Sequence, residues 1–200
     1  MATLLAVDVG LRAGLALFGE NGRLHWYRSH NFGSAARLKR GAASILQGLP
    51  ALTWLALEGG GPLANVWLAE AERRGVQTLQ IGAEIWRERL LLPRDQRSGE
   101  QAKQRADDLA RRIIAWSGAP RPTSLRHDAA EAIAIGLWAS RLRPCRRCPP
   151  RSPRSPPRFA VKWCIRLCLI HAAMTPAPLH KALEDPITQH AAARAEAYRQ

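Results

Sequence analysis

The sequence predicts an α/β protein with a five-stranded mixed sheet flanked by helices, and three observations predict it. Short apolar runs of strand length, at residues 4–7, 15–18 and 53–57, alternate with stretches of helical period. The opening carries Asn21-Gly22, a tight-turn signal, between two strand-like runs, which marks antiparallel hairpins. A strand, a helical stretch and another strand then follow in succession, the pattern that pairs two strands in parallel through a crossover.

Leu4-Leu5-Ala6-Val7 is a continuous apolar run suited to a strand buried on both faces. Gly10 and Gly14 bracket a turn into the second run, and Asn21-Gly22 leads to a third strand near residues 24–29, completing a three-stranded antiparallel meander. The period then changes. Ser34 is placed to cap a helix over 35–47, with Leu38, Ala42, Ile45 and Leu46 on one face and Arg37, Lys39 and Arg40 largely on another. Residues 53–57 form a buried strand that ends at Glu58 and the glycines 59–61, and Pro62 opens a helix to about residue 74. The fifth strand spans 76–81, and helical patterns follow at 83–91 and 100–116, joined by a basic loop at 93–99. No helix tolerates Gly118-Ala119-Pro120-Arg121-Pro122, so the last helix begins near Asp128 and runs to about residue 142.

With 200 residues and 46% hydrophobic content, the chain is long enough for one well-buried core. One domain is expected over 1–142, with a basic extension over 143–200. The formal charge is +14, and 11 of the 30 Lys and Arg but only 3 of the 16 Asp and Glu follow Leu142. Such an excess favours an anionic partner, nucleic acid above all. From Arg143 the sequence is so rich in Arg, Pro and Ser that disorder or weak helicity is expected. No run of about 18 apolar residues suggests a membrane span, and no basic segment precedes the first apolar run as in a signal peptide, so a cytoplasmic protein is expected. All four cysteines lie beyond residue 142, leaving the body without disulfides. Cys145, Cys148, Cys164 and Cys168 approach zinc-ribbon spacing, but the first pair sits in Arg/Pro-rich sequence and the second in an apolar helical stretch, so zinc is not expected there.

Chemistry concentrates at strand ends. Asp8 closes the first strand and Glu58 closes a strand that should lie parallel and adjacent to it, so the two carboxylates meet. Burying carboxylates among apolar residues is costly unless they are paired or bind a cation, and oxygen ligands in a hydrated site favour Mg²⁺ or Mn²⁺. His127-Asp128-Ala129-Ala130-Glu131 opens the last helix and puts Asp128 and Glu131 on one face. The same Asp-x-x-Glu pattern is also that of a capping box, which would leave these two acids with a purely structural role. Arg12, Arg94, Arg97, Lys103 and Arg105 are candidate phosphate contacts near the acids, or members of a solvated charged face. Trp67 and Trp86 read as core or dimer-contact residues rather than base-stacking platforms.

Leu4-Leu5-Ala6-Val7-Asp8-Val9-Gly10 with Gly14, then Leu55-Ala56-Leu57-Glu58, then Asp128-Ala129-Ala130-Glu131 with Ala132-Ile133-Ala134-Ile135, resembles the three acidic motifs of RuvC-type Holliday junction resolvases. The resemblance spans nearly all of residues 4–142 and implies the ribonuclease H-like fold. Ile85-Trp86-Arg87, the basic loop and Lys103 with Asp107 are similar to RuvC-like proteins of phage type. The family usually has aspartate where this chain has Glu131, one methylene longer, and His127 is an additional candidate ligand. The resemblance implies a homodimer that hydrolyses phosphodiesters in branched DNA, with Asp8, Glu58, Asp128 and Glu131 holding two Mg²⁺ or Mn²⁺ ions about 4 Å apart. The alternative is a catalytically silent nucleic-acid-binding or assembly module on the same fold. A sugar-kinase or actin-like ATPase shares the Asp-x-Gly opening but needs a second Gly-rich phosphate hairpin and a much longer chain.

Overall fold

The computed structural model describes residues 3–91 and 98–142. Three strands form the antiparallel meander: β1 (Thr3–Asp8), β2 (Arg12–Phe18) and β3 (Leu24–Asn31). Helix α1 (Ala35–Gln47) crosses to β4 (Leu52–Glu58), and α2 (Gly61–Arg73) crosses to β5 (Gln77–Ile81). The chain continues through α3 (Ala83–Leu90), α4 (Gly99–Ser117) and α5 (His127–Arg141). The sheet order is β3-β2-β1-β4-β5, with β4 parallel to both β1 and β5. This is the five-stranded mixed sheet, flanked by helices, that the sequence predicts.

The alternation of side chains along the strands divides the core in two. On one face Leu5, Val7, Leu15, Leu17, Leu55 and Leu57 pack with Leu38, Ala42 and Leu46 of α1 and with Trp67 and Ala71 of α2. Helix α1 starts as expected, with the Ser34 hydroxyl accepting from the Arg37 N–H at 3.3 Å.

The opposite face is built for close approach. Ala16, Ala6 and Ala56 lie side by side across β2, β1 and β4, and they share this face with Gly14 and Phe18. Helix α5 covers it, and its residues 129, 130 and 132–139 are buried. The burial of α5 extends beyond a single stripe, because α4 packs beside it while the sheet lies beneath. Two glycines set the distance between helix and sheet. A Cβ at Gly14 would fall 1.8 Å from the Asp128 carbonyl oxygen, and one at Gly136 would fall 2.1 Å from the Phe18 ring. Neither position has room for a methyl group.

Gly14→Ala is therefore expected to cost roughly 1–3 kcal/mol or more, since backbone rather than a flexible side chain must give way. Gly99→Ala is the control. An added Cβ there meets nothing within 4 Å, and the gain in helix propensity should leave the protein equally or slightly more stable. Urea unfolding of the two variants decides the matter: equal midpoints would mean that α5 does not rest on β2.

Candidate metal centre

The end of β1 organises the acidic residues. Asp8 pairs in register with Glu58 on one side and Gly14 on the other, and Gly14 pairs with Ser29. Residues in register across a sheet point to the same face, so Ser29, Asp8 and Glu58 all project toward α5. Because Gly14 lacks a side chain, the first turn of α5 settles directly over it, carrying Asp128 and Glu131 to the same place. Beyond Glu58 the chain must leave the strand sharply, and Gly59 at φ 105° and Gly61 at φ 75° supply left-handed backbone for that exit.

Each of three carboxylates has a donor of a different kind. The Ser29 hydroxyl donates to Asp128 Oδ2 at 2.5 Å. The Trp86 indole N–H donates to Glu58 Oε2 at 2.5 Å. Arg87 Nη2 donates to Glu131 Oε1 at 2.7 Å, a salt bridge whose partners are 27% and 14% exposed. These contacts decide against the capping box. Helix α5 begins at His127, and the Ala130 N–H already bonds to the Arg126 carbonyl, so Asp128 lies inside the first turn. Its Oδ1 accepts from the adjacent Ala129 N–H at 2.9 Å, while Glu131 turns to Arg87.

Burial pushes the Asp8 carboxyl up to about 7, with the carboxylates of Glu131, Glu58 and Asp128 adding to the rise and Arg87 opposing it. Glu58 is also raised, chiefly by burial, with the Trp86 hydrogen bond pulling the other way and Glu131 pushing it further up. The other three acids thus lie within electrostatic reach of Asp8. Among the described residues, no three His, Cys, Asp or Glu side chains stand as an assembled ligand group. The donor set nevertheless fits a hard divalent cation: carboxylate oxygens gathered in a partly buried place are relieved by positive charge, whether it arrives as a proton or as a metal ion.

The other expected residues scatter. His127 is exposed on the first residue of α5, and Arg12 is exposed as the first residue of β2. Lys103 is exposed on α4, and Arg105 on the same helix pairs with Asp108 at 3.5 Å. Asp107 is buried and paired with Arg111 at 2.7 Å along α4. Arg94 and Arg97 lie outside the described residues, as do Cys145, Cys148, Cys164 and Cys168. Trp67 is a core residue. Trp86 is fully buried, yet its indole nitrogen belongs to the acidic centre. Ser29, Trp86 and Arg87 are the site residues that the sequence reading did not assign. A signal existed only for the last two, as the Ile85-Trp86-Arg87 motif.

No family model and no curated protein matches the chain. Among solved structures, it is similar to RuvC of Thermus thermophilus, with TM-score 0.49 and 19% identity over 68% of this chain and 91% of that one. For the T. thermophilus RuvC in complex with Holliday junction substrate the values are 0.47 and 18%, over 68% and 91%. For the yeast mitochondrial Holliday junction resolvase Ydc2 they are 0.40 and 14%, over 69% and 78%. The likeness is one of chain path, and the acidic centre stands on this chain's own contacts.

A raised Asp8 pKa means that the folded protein binds a proton more tightly than the unfolded chain, so stability from this group is greatest in acid and declines as pH rises from about 4 toward 7. In EDTA, wild type is expected to lose roughly 2–4 kcal/mol across that window through Asp8, and Asp8→Asn to lose much less. Urea titrations at pH 5 and pH 8 make the comparison. A wild-type midpoint that falls between these pH values no further than that of Asp8→Asn would show that Asp8 is not held buried among the other acids.

Proposed function

We propose that this protein is a divalent-metal-dependent endonuclease that hydrolyses phosphodiesters in branched DNA. The observation that carries the reading is the convergence of four carboxylates from three elements at the carboxyl ends of β1 and β4. Structural ion pairs do not call for such clustering, because four acids with one guanidinium between them leave excess negative charge in a partly buried place. Phosphoryl chemistry does, since metal ions at such a centre activate water and offset charge on the leaving oxygen.

Asp8, Glu58, Asp128 and Glu131 are the residues that would hold Mg²⁺ or Mn²⁺. Asp8, flanked in register by Glu58 and seated beneath the start of α5, is the acid common to the whole group. Ser29 and Trp86 fix the carboxylates of Asp128 and Glu58 with neutral donors, which orient them without cancelling their charge. Arg12 and Lys103, both exposed and basic, are proposed phosphate contacts, together with Arg94, Arg97 and Arg105. His127, exposed beside Asp128, is a further candidate ligand. Branched DNA as substrate, action as a homodimer and a cytoplasmic location are parts of this proposal. Among the described residues no helix is long and apolar enough to cross a membrane.

Asp8→Asn and Glu58→Gln are expected to lower cleavage of a four-way junction by about a thousandfold or more, with junction binding unchanged or tighter. Full Mg²⁺-dependent turnover by either purified variant would remove the assignment. Intact binding with no turnover in wild type, under Mg²⁺ or Mn²⁺, would favour the silent binding module instead.

We further propose that residues 1–142 are the nuclease domain and that 143–200 contribute charge. A chain ending at Leu142 is then expected to fold and cleave, but to bind DNA more weakly. Its log K should fall less steeply with log salt, by roughly one unit for each phosphate contact removed. Binding across a salt series compares it with the full chain: an insoluble truncation would place part of the core in the extension, and an identical slope would deny it a role on DNA.

A further inference from the structure

Arg87 is a cation inside a centre proposed to bind cations. It donates to Glu131 at 2.7 Å, and its charge also lowers the proton affinity of Asp8 and of Glu58. One guanidinium therefore serves three of the four acids. It sits on α3 next to Trp86, whose indole holds Glu58, so two successive residues of one short helix engage two carboxylates. The two contacts differ in kind. An indole N–H is neutral and compatible with a metal on the other Glu58 oxygen, whereas a guanidinium on Glu131 competes with a metal for the same negative charge.

From the nuclease reading, on which this inference rests, we propose that Arg87 is a positioning residue that exchanges partners. In the DNA-free protein it holds Glu131. When a phosphodiester reaches the acidic centre, Arg87 turns to the phosphate and releases Glu131 to the metal. The Arg87 side chain is 27% exposed, buried enough to be held and open enough to meet a ligand. Arginine pairs with phosphate as readily as with carboxylate, in the same forked geometry. Glutamate at position 131 is part of the device: an aspartate, roughly 1.5 Å shorter, would not span the present contact. Because coupling between two bound ligands is reciprocal, the exchange makes metal and DNA each strengthen the other's binding.

The test keeps metal and DNA apart, so that no cleavage intervenes. Mn²⁺ binding to the full DNA-free chain is measured by paramagnetic resonance, and four-way-junction binding is measured in EDTA. Arg87→Gln is expected to tighten Mn²⁺ roughly five- to tenfold and to weaken the junction. Removing a positive charge would tighten a cation by itself, so Glu131→Asp is the decisive variant. It keeps every charge but breaks the contact, and it should tighten Mn²⁺ and, by freeing Arg87, the junction as well. The double variant should bind Mn²⁺ no more tightly than the better single variant, because both release the same side chain. If Glu131→Asp leaves both affinities unchanged or weaker, the exchange is overturned while the metal centre stands. If Mn²⁺ binding survives Asp8→Asn undiminished, the metal-centre reading falls and takes the exchange with it. Should Arg87→Gln fail to fold, Glu131→Asp still gives the answer.

Discussion

The distance between the start of α5 and strand β2 governs everything at the carboxyl end of the sheet. Asp8 and Glu58 are placed by strand register and need no helix to bring them together. Asp128 and Glu131 reach them only because the backbone of α5 settles into the space that a side chain at position 14 would fill. The alanines of β1, β2 and β4 extend the same condition along the helix, and Gly136 repeats it against Phe18. Small residues here create proximity rather than flexibility. The cohesion of the helix with the sheet comes from the apolar surface it buries, and that burial sustains the repulsion among the acids.

The electrostatics follow from the packing. Four carboxylates gathered beside an apolar sheet face cannot all be ionised cheaply, and the protein divides the difficulty among unlike donors. Ser29 and Trp86 orient without neutralising, Arg87 neutralises, and Asp8 takes up the remaining strain as a raised proton affinity. A centre arranged this way is poised for a cation of either kind, proton or metal.

The strands were legible in the sequence because their apolar runs are short and bounded by turn residues, and the acids because Asp8 and Glu58 stand where apolar runs stop and Asp128 and Glu131 where the last helix opens. The donors were less so. Ser29 is one polar residue in a half-exposed edge strand, and its role depends on a register three strands wide. Arg87 is one basic residue among 30 in the chain, and pattern alone does not separate it from the others. Trp86 reads correctly as buried, but burial says nothing of where its single polar atom points. The ambiguity at Asp128 turned on one residue of helix start, finer than periodicity resolves. With Asp128 as the capping residue the two acids would have faced their own backbone, whereas a helix beginning at His127 turns them toward Ser29 and Arg87.

The acidic centre also has an order of assembly. Its members come from positions 8, 58, 128 and 131, and the contacts that fasten the meander to the later helices bridge long stretches of chain: Arg23 to the Trp116 carbonyl, Leu24 to Ser117 and Tyr27 to Pro120. On a ribosome, β1 to β5 emerge well before α5, so the alanine-lined sheet face waits uncovered until the last described helix is made. A nascent chain at that stage holds only half of its acids. The nuclease proposed for this fold would thus be inert beside the messenger and ribosomal RNA among which it is born, and would gain its full set of acids only when α5 closes over the sheet.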